Sequence, residues 1–264
     1  MKTMWSMALA ISMMVSPPVS RATTGELSAA ERGATACHLV DHAAPGSFTY
    51  YWFAQGTGRD GSGYRTACGY YGTASGQIDT VQNIASASPA SASYFAAIPG
   101  TDRFNTVGHC GACVQITGEN GKVIIATIVD ECPYGRDGNN PPCASNPNGH
   151  LDLSKAAFDQ LGYSRGDPTG TTWKYVPCPI TGNVIIRVKP GNPNELFVEN
   201  AILAIIAVQG ATRTSYGAWH FESNLSAGQT LHLTDAAGRP LTVVLANTTQ
   251  SLNQDTGVQF PPCS

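Results

Sequence analysis

His150-Leu151-Asp152-Leu153-Ser154 alternates polar and apolar side chains one by one. Successive side chains of a strand point to opposite faces, so this spacing puts His150 and Asp152 on one face and both leucines on the other. Ser154 then stands where a hydroxyl can cap a helix over Lys155 to Leu161, with Phe158 and Leu161 on one side and Gly162 at its end. Upstream, Val123-Ile124-Ile125-Ala126-Thr127-Ile128-Val129 is a near-continuous run of mostly β-branched residues, which predicts a buried strand ending at Asp130. Two carboxylates, Asp130 and Asp152, are thereby expected at strand ends within one region. A weaker helical reading falls on Ala85 to Ala97.

Phe48 to Trp173 reads as a Gly-rich region of short strands. Around Val176-Pro177-Cys178-Pro179 two prolines bracket a short linker. Beyond it, strands are expected at Val184 to Lys189, Leu196 to Val208, Ala218 to Glu222, Thr230 to Thr234 and Leu241 to Ala246, with Gly- and Pro-containing turns between them. That spacing predicts a β-sandwich of about 85 residues.

At the other end, Lys2, an apolar run of eleven residues from Trp5 to Val15, the break at Ser16-Pro17-Pro18 and the Ser20-Arg21-Ala22 triplet read as an export signal over residues 1–22. The run is well short of the ~20 residues that cross a bilayer, so no membrane anchor is expected and the product reads as secreted. Residues 23–45 then form a polar, Ala-rich extension. In the 264-residue chain, charged residues make up only 12%, beside 28 Gly and 17 Pro, which argues against a coiled coil and against a disordered chain. The formal net charge of −3 falls to −5 when Lys2 and Arg21 are removed, which leaves no basic surface for nucleic acid.

All eight cysteines (Cys37, Cys68, Cys110, Cys113, Cys132, Cys143, Cys178, Cys263) follow the signal, and an even count in an oxidising compartment implies disulfides. Spacing alone favours only Cys132 with Cys143. The single CxxC at Cys110 to Cys113 lacks a second at matching distance, so neither metal nor cofactor is expected. No GxxxxGK[ST] loop is present. What remains is carboxylates and aromatics. Asp130 and Asp152 suit acid–base work on a glycosidic bond, against the ordinary role of an Asp in capping a turn or accepting backbone N–H bonds.

Thr49-Tyr50, Ala67-Cys68-Gly69-Tyr70, Cys110-Gly111-Ala112-Cys113, Val129-Asp130-Glu131-Cys132-Pro133 and His150-Leu151-Asp152-Leu153-Ser154 resemble, in that order, the first domain of expansins. Trp173 to Asn183, Ser215-Tyr216-Gly217-Ala218-Trp219 and Gly257-Val258-Gln259-Phe260-Pro261 resemble the expansin linker and second domain. The resemblance implies an all-β chain: a six-stranded double-psi β-barrel over 46–173, related to glycoside hydrolase family 45, a linker over 174–180, and an immunoglobulin-like, cellulose-binding β-sandwich over 181–264. It implies a monomer that binds cellulose or another wall β-glucan and loosens the wall without cutting chains. Asp152 matches the family's essential aspartate, with Thr49, Tyr50 and Asp130 in the same groove; Trp52, His150, Phe197, Tyr216 and Trp219 are the expected sugar-contacting residues. By matching cysteines it pairs Cys68 with Cys110 and Cys113 with Cys178, leaving Cys37 and Cys263 as a remainder.

The sequence also departs from that pattern. The related hydrolases carry a second Asp as base just after their Thr-x-Tyr-Trp segment, whereas Tyr50-Tyr51-Trp52-Phe53-Ala54-Gln55 holds no acid and Asp60 is the next. Cys132 replaces a groove tyrosine, the loop Pro133 to Gly149 is longer, and Asn192-Pro193-Asn194-Glu195 lacks the adjacent aromatic pair of bacterial members. An active endoglucanase or lytic enzyme, using Asp152 with Asp60 or Asp130, and a passive carbohydrate-binding module are the competing functions.

Overall fold

The computed structural model describes residues 44–51, 66–68, 71–72, 78–79, 94–99, 110–132, 143, 149–163, 169–215, 217–250 and 252–263. The export signal, Cys37, Trp52, Asp60 and Tyr216 lie outside them.

In chain order the first half gives β1 (Ala44–Tyr51), a two-stranded pair β2 (Tyr71–Gly72) and β3 (Ile78–Asp79), β4 (Phe95–Pro99), β5 (Cys113–Thr117), β6 (Val123–Cys132), β7 (His150–Ser154) and β8 (Thr169–Val176). Six of these close into a barrel in the order β1-β7-β4-β6-β5-β8. Two neighbouring pairs are parallel, β1 with β7 and β4 with β6, and the remaining contacts are antiparallel. Parallel neighbours need long crossovers, and two such crossovers in one small barrel make the double-psi arrangement. Phe48, Phe95, Val114, Ile116, Ile128, Leu151 and Leu153 fill its core.

Two expectations are corrected within the barrel. β6 does not stop at Asp130, because β4 keeps pairing with it through Ala97↔Asp130, Ile98↔Glu131 and Pro99↔Cys132, so Asp130 sits within a strand. Phe95 to Ala97, read as the end of a helix, belong to β4, which runs between β7 and β6 with all five residues buried. A strand enclosed on both faces shows no period of two, and its apolar run looks like a buried helical turn. β8 runs through Val176, because Tyr175 and Val176 pair with Val114 and Cys113.

The short helix Lys155–Gln160 follows β7 directly. Ser154 Oγ accepts from Ala157 N (3.3 Å) and from Phe95 N (3.2 Å), so one hydroxyl caps the helix and ties it to β4. Gly162 ends the turn at φ 89°, a left-handed conformation that favours glycine.

The second half gives β9 (Ile185–Val188), β10 (Glu195–Glu199), β11 (Ile205–Val208), β12 (Ala211–Arg213), β13 (Trp219–Phe221), β14 (Thr230–Asp235), β15 (Pro240–Val244) and β16 (Asn253–Asp255). They form a five-stranded sheet, β12-β13-β10-β9-β16, and a three-stranded sheet, β11-β14-β15. Ile186, Val188, Leu196, Val208, Trp219, Leu231, Leu233 and Val243 from the two sheets share one core, which makes a β-sandwich. The single strand expected over Leu196 to Val208 is two strands in different sheets. The chain changes sheet just after Asn200, whose backbone is left-handed at φ 55° and whose Nδ2 donates to Thr181 O (3.0 Å) and Asn183 O (2.7 Å). Local side-chain bonding of this kind is how Asn competes with a strand ladder.

The halves touch at defined points. A disulfide joins Cys113 of β5 to Cys178, whose N–H donates to Ile202 O at 2.8 Å. Gly217, at φ 78°, lies so close to the Cys68–Cys110 disulfide that a Cβ there would come within 2.9 Å of Cys110 Sγ. Cys132 and Cys143 form a third bridge, and Cys263 is also disulfide-bonded. Among the described residues no helix is long and apolar enough to cross a membrane.

Candidate functional site

The parallel register of β1 and β7 sets Ser47 opposite His150 and Thr49 opposite Asp152. Alternation therefore gathers four polar side chains on one face while Phe48, Leu151 and Leu153 fill the core. Ser47 Oγ lies 2.8 Å from His150 Nδ1, Thr49 Oγ1 lies 2.9 Å from His150 Nε2, and Thr49 Oγ1 donates to Asp152 Oδ1 at 2.8 Å. Asp152 keeps 9% of its surface open, whereas His150 has none. Burial pushes the Asp152 carboxyl up to about 6; the Thr49 hydrogen bond acts against this, and the negative charge of Asp130 adds to it. Burial also lowers the His150 imidazole to about 4, so at neutral pH the ring carries no charge.

Asp130 is held differently. Its Oδ1 accepts from Ala67 N at 2.6 Å and from Glu131 N at 2.9 Å, which ties the Thr66–Cys68 segment to β6. Ala97 of β4 pairs with Asp152 on one side and Asp130 on the other, so the two acids sit at one level of the barrel, two strand spacings or ~10 Å apart along the backbone. Glu131 beside it is raised by burial and by the Asp130 charge.

Tyr50 is 37% exposed. Its ring packs on Phe158 with centroids 4.9 Å apart, and the Lys155 ammonium, itself paired with Asp159 one helical turn on, lies 5.2 Å from the ring centre. Behind β7, Trp173 Nε1 donates to Gly149 O at 2.9 Å and fixes the entry to that strand.

Several expected contacts fall elsewhere. His150, expected to touch sugar, is sealed between Ser47 and Thr49 and serves them instead. Phe197 does point away from Leu196 and Val198, but it is 2% exposed, with the Arg187 guanidinium 5.1 Å from its ring and Arg187 in turn paired with Glu199. A cation held by its own carboxylate covers that ring more favourably than open water does. Trp219 lies in the sandwich core at 5% exposure. Among the described residues the sandwich thus presents no exposed row of aromatics. Cys132 is buried in its disulfide. A ring nitrogen of His150 and the sulfurs of Cys132 and Cys143 lie within 4.8 Å of one another, but sulfurs joined to each other offer no thiolate to an ion. Sequence reasoning missed Ser47 and Lys155. The spacing Ser47-x-Thr49 against His150-x-Asp152 carried the signal for the first, once β1 and β7 are known to be neighbours.

A family model described as lytic transglycolase (DPBB_1) matches residues 46–172, the barrel. Expansin-like protein 5 of Dictyostelium discoideum is 29% identical over 182 residues, covering 63% of this chain and 73% of that protein. The chain is similar to expansin-like proteins. Expansin-A7 of Arabidopsis thaliana is 32% identical over 106 residues, which are 37% of this chain and 40% of that protein. The crystal structure of a mutant Clavibacter michiganensis expansin in complex with cellohexaose superimposes with a TM-score of 0.61, at 24% identity, over 84% of this chain and 100% of that one. The expansin-like fold therefore extends through both the barrel and the sandwich.

Proposed function

We propose that this chain is an exported protein that binds an extended wall β-glucan in the barrel groove and loosens the wall without cutting it. The observation that carries the reading is the unequal state of the two acids. Asp152 is a buried residue, 9% exposed, whose carboxyl is set by Thr49, while one oxygen of Asp130 is taken up by two backbone N–H groups. Inverting hydrolysis needs a second carboxylate to activate water across ~6.5–9.5 Å, and Asp130 is engaged in holding the backbone instead. Asp152 hydrogen-bonds a sugar hydroxyl, Tyr50 contacts the chain, and the glucan is held away from its neighbours in the wall. Kinship with an expansin solved in complex with cellohexaose supports a cellulose-type ligand. The apolar run after Lys2 and the disulfides support export to an oxidising space.

A lytic enzyme is the second reading, favoured by the family model's description and by a carboxyl at about 6, which suits a general acid. The test incubates the protein with insoluble β-glucan and follows bound protein and soluble reducing ends together. Binding without release supports the proposal. Sustained release that Asp152→Asn abolishes selects the lytic enzyme.

A further inference from the structure

The hydrogen bonds around His150 have a direction. Thr49 has one hydroxyl proton, and it goes to Asp152 Oδ1. Thr49 Oγ1 is then an acceptor toward His150 Nε2 at 2.9 Å, so the ring proton sits on Nε2. A neutral imidazole carries only one N–H, so Nδ1 accepts, and Ser47 Oγ, 2.8 Å away, donates to it. We infer that His150 is a positioning residue for Asp152: held by Ser47 as the Nε2–H tautomer, it fills the acceptor side of Thr49 and commits that hydroxyl to donating to Asp152.

The inference rests on the reading of Asp152 as the working group of the groove. The groups around the pair leave the direction in place. Among the described residues Asp130, on β6, is the charged group that acts on Asp152. The Cys132–Cys143 disulfide lies against His150 and does not titrate. Trp173 Nε1 is spent on Gly149 O and leaves the imidazole to the two hydroxyls. Without the Nε2–H donor, the Thr49 hydroxyl is free to turn toward the ring, and the carboxylate loses the bond that favours its ionised form.

The experiment uses the exported chain labelled with 15N-histidine and 13C-aspartate and needs no polysaccharide. Long-range proton–nitrogen correlation reads the His150 tautomer at pH 7, and the carboxyl resonance reads the Asp152 titration. The expected result is the Nε2–H tautomer in the native protein. In Ser47→Ala the tautomer becomes mixed and the Asp152 midpoint rises by about half a pH unit or more. Thr49→Val raises the midpoint whether or not Ser47 is present, and His150→Gln, which keeps an N–H donor toward Thr49, leaves it close to native. An Nδ1–H tautomer, an imidazolium at pH 7, or an unchanged Asp152 midpoint in Ser47→Ala overturns the inference. A wall assay that fails while the tautomer and midpoints are as expected rejects the functional reading alone.

Discussion

Asp152 and His150 couple stability to pH with opposite signs. Asp152 titrates near 6 in the folded chain against 3.8 ordinarily, so its contribution is complete below 3.8 and is lost as pH rises through 6. His150 titrates near 4 against 6.5 ordinarily, so its contribution is present above 6.5 and is lost as pH falls through 4. Between these limits the two offset each other, and the pair leaves stability nearly flat. Asp152→Asn removes one side. The variant is expected to be more stable than the native protein at pH 7 by about 3 kcal/mol, with the gap closing toward pH 4, as read from urea midpoints at both values. Equal midpoints at pH 7 would show that the carboxylate carries no burial penalty. At this scale the sequence was informative where a period of two applied: His150 and Asp152 share a face, and the leucines take the other. It was silent on burial, which is why His150 reads as a sugar contact and is instead enclosed.

Secondary structure was legible where a local signal dominates and not where pairing decides. Ser154 before Lys155 and Gly162 after Leu161 mark the helix unaided. Ser154→Ala removes an acceptor shared by Ala157 N and Phe95 N, so a loss of about 1–2 kcal/mol in thermal or urea unfolding is expected, more than a surface cap gives. A loss near zero would mean that the cap is dispensable. β4 and the last residues of β6 depend on each other across the barrel, and no local pattern marks where such pairing stops. The strand expected over Leu196 to Val208 failed at Asn200 for a related reason: its side chain binds carbonyls of Thr181 and Asn183, which are distant in sequence. Short edge strands such as β12 and β16, half exposed, also lacked a hydrophobic signal.

At the scale of the whole molecule, barrel and sandwich meet through the Cys113–Cys178 bridge and through Gly217 against the Cys68–Cys110 bridge. Gly217→Ala adds a Cβ at a left-handed backbone and against Cys110 Sγ, so unfolding should begin at the junction at a cost of about 1–3 kcal/mol, visible as a lower melting temperature. An unchanged melting temperature would show that the two halves do not depend on this contact. With Phe197 and Trp219 buried, the barrel groove carries most of the proposed grip on glucan, and the sandwich adds little from its described surface. The central claim is that one carboxyl, Asp152, acts on the wall polymer without breaking it. The most direct test applies the native protein and Asp152→Asn to cellulosic wall strips under constant load, recording extension while assaying the bath for reducing sugar. The account predicts extension with no sugar from the native protein and neither from the variant; extension that survives the substitution, or that appears only with released sugar, would contradict it.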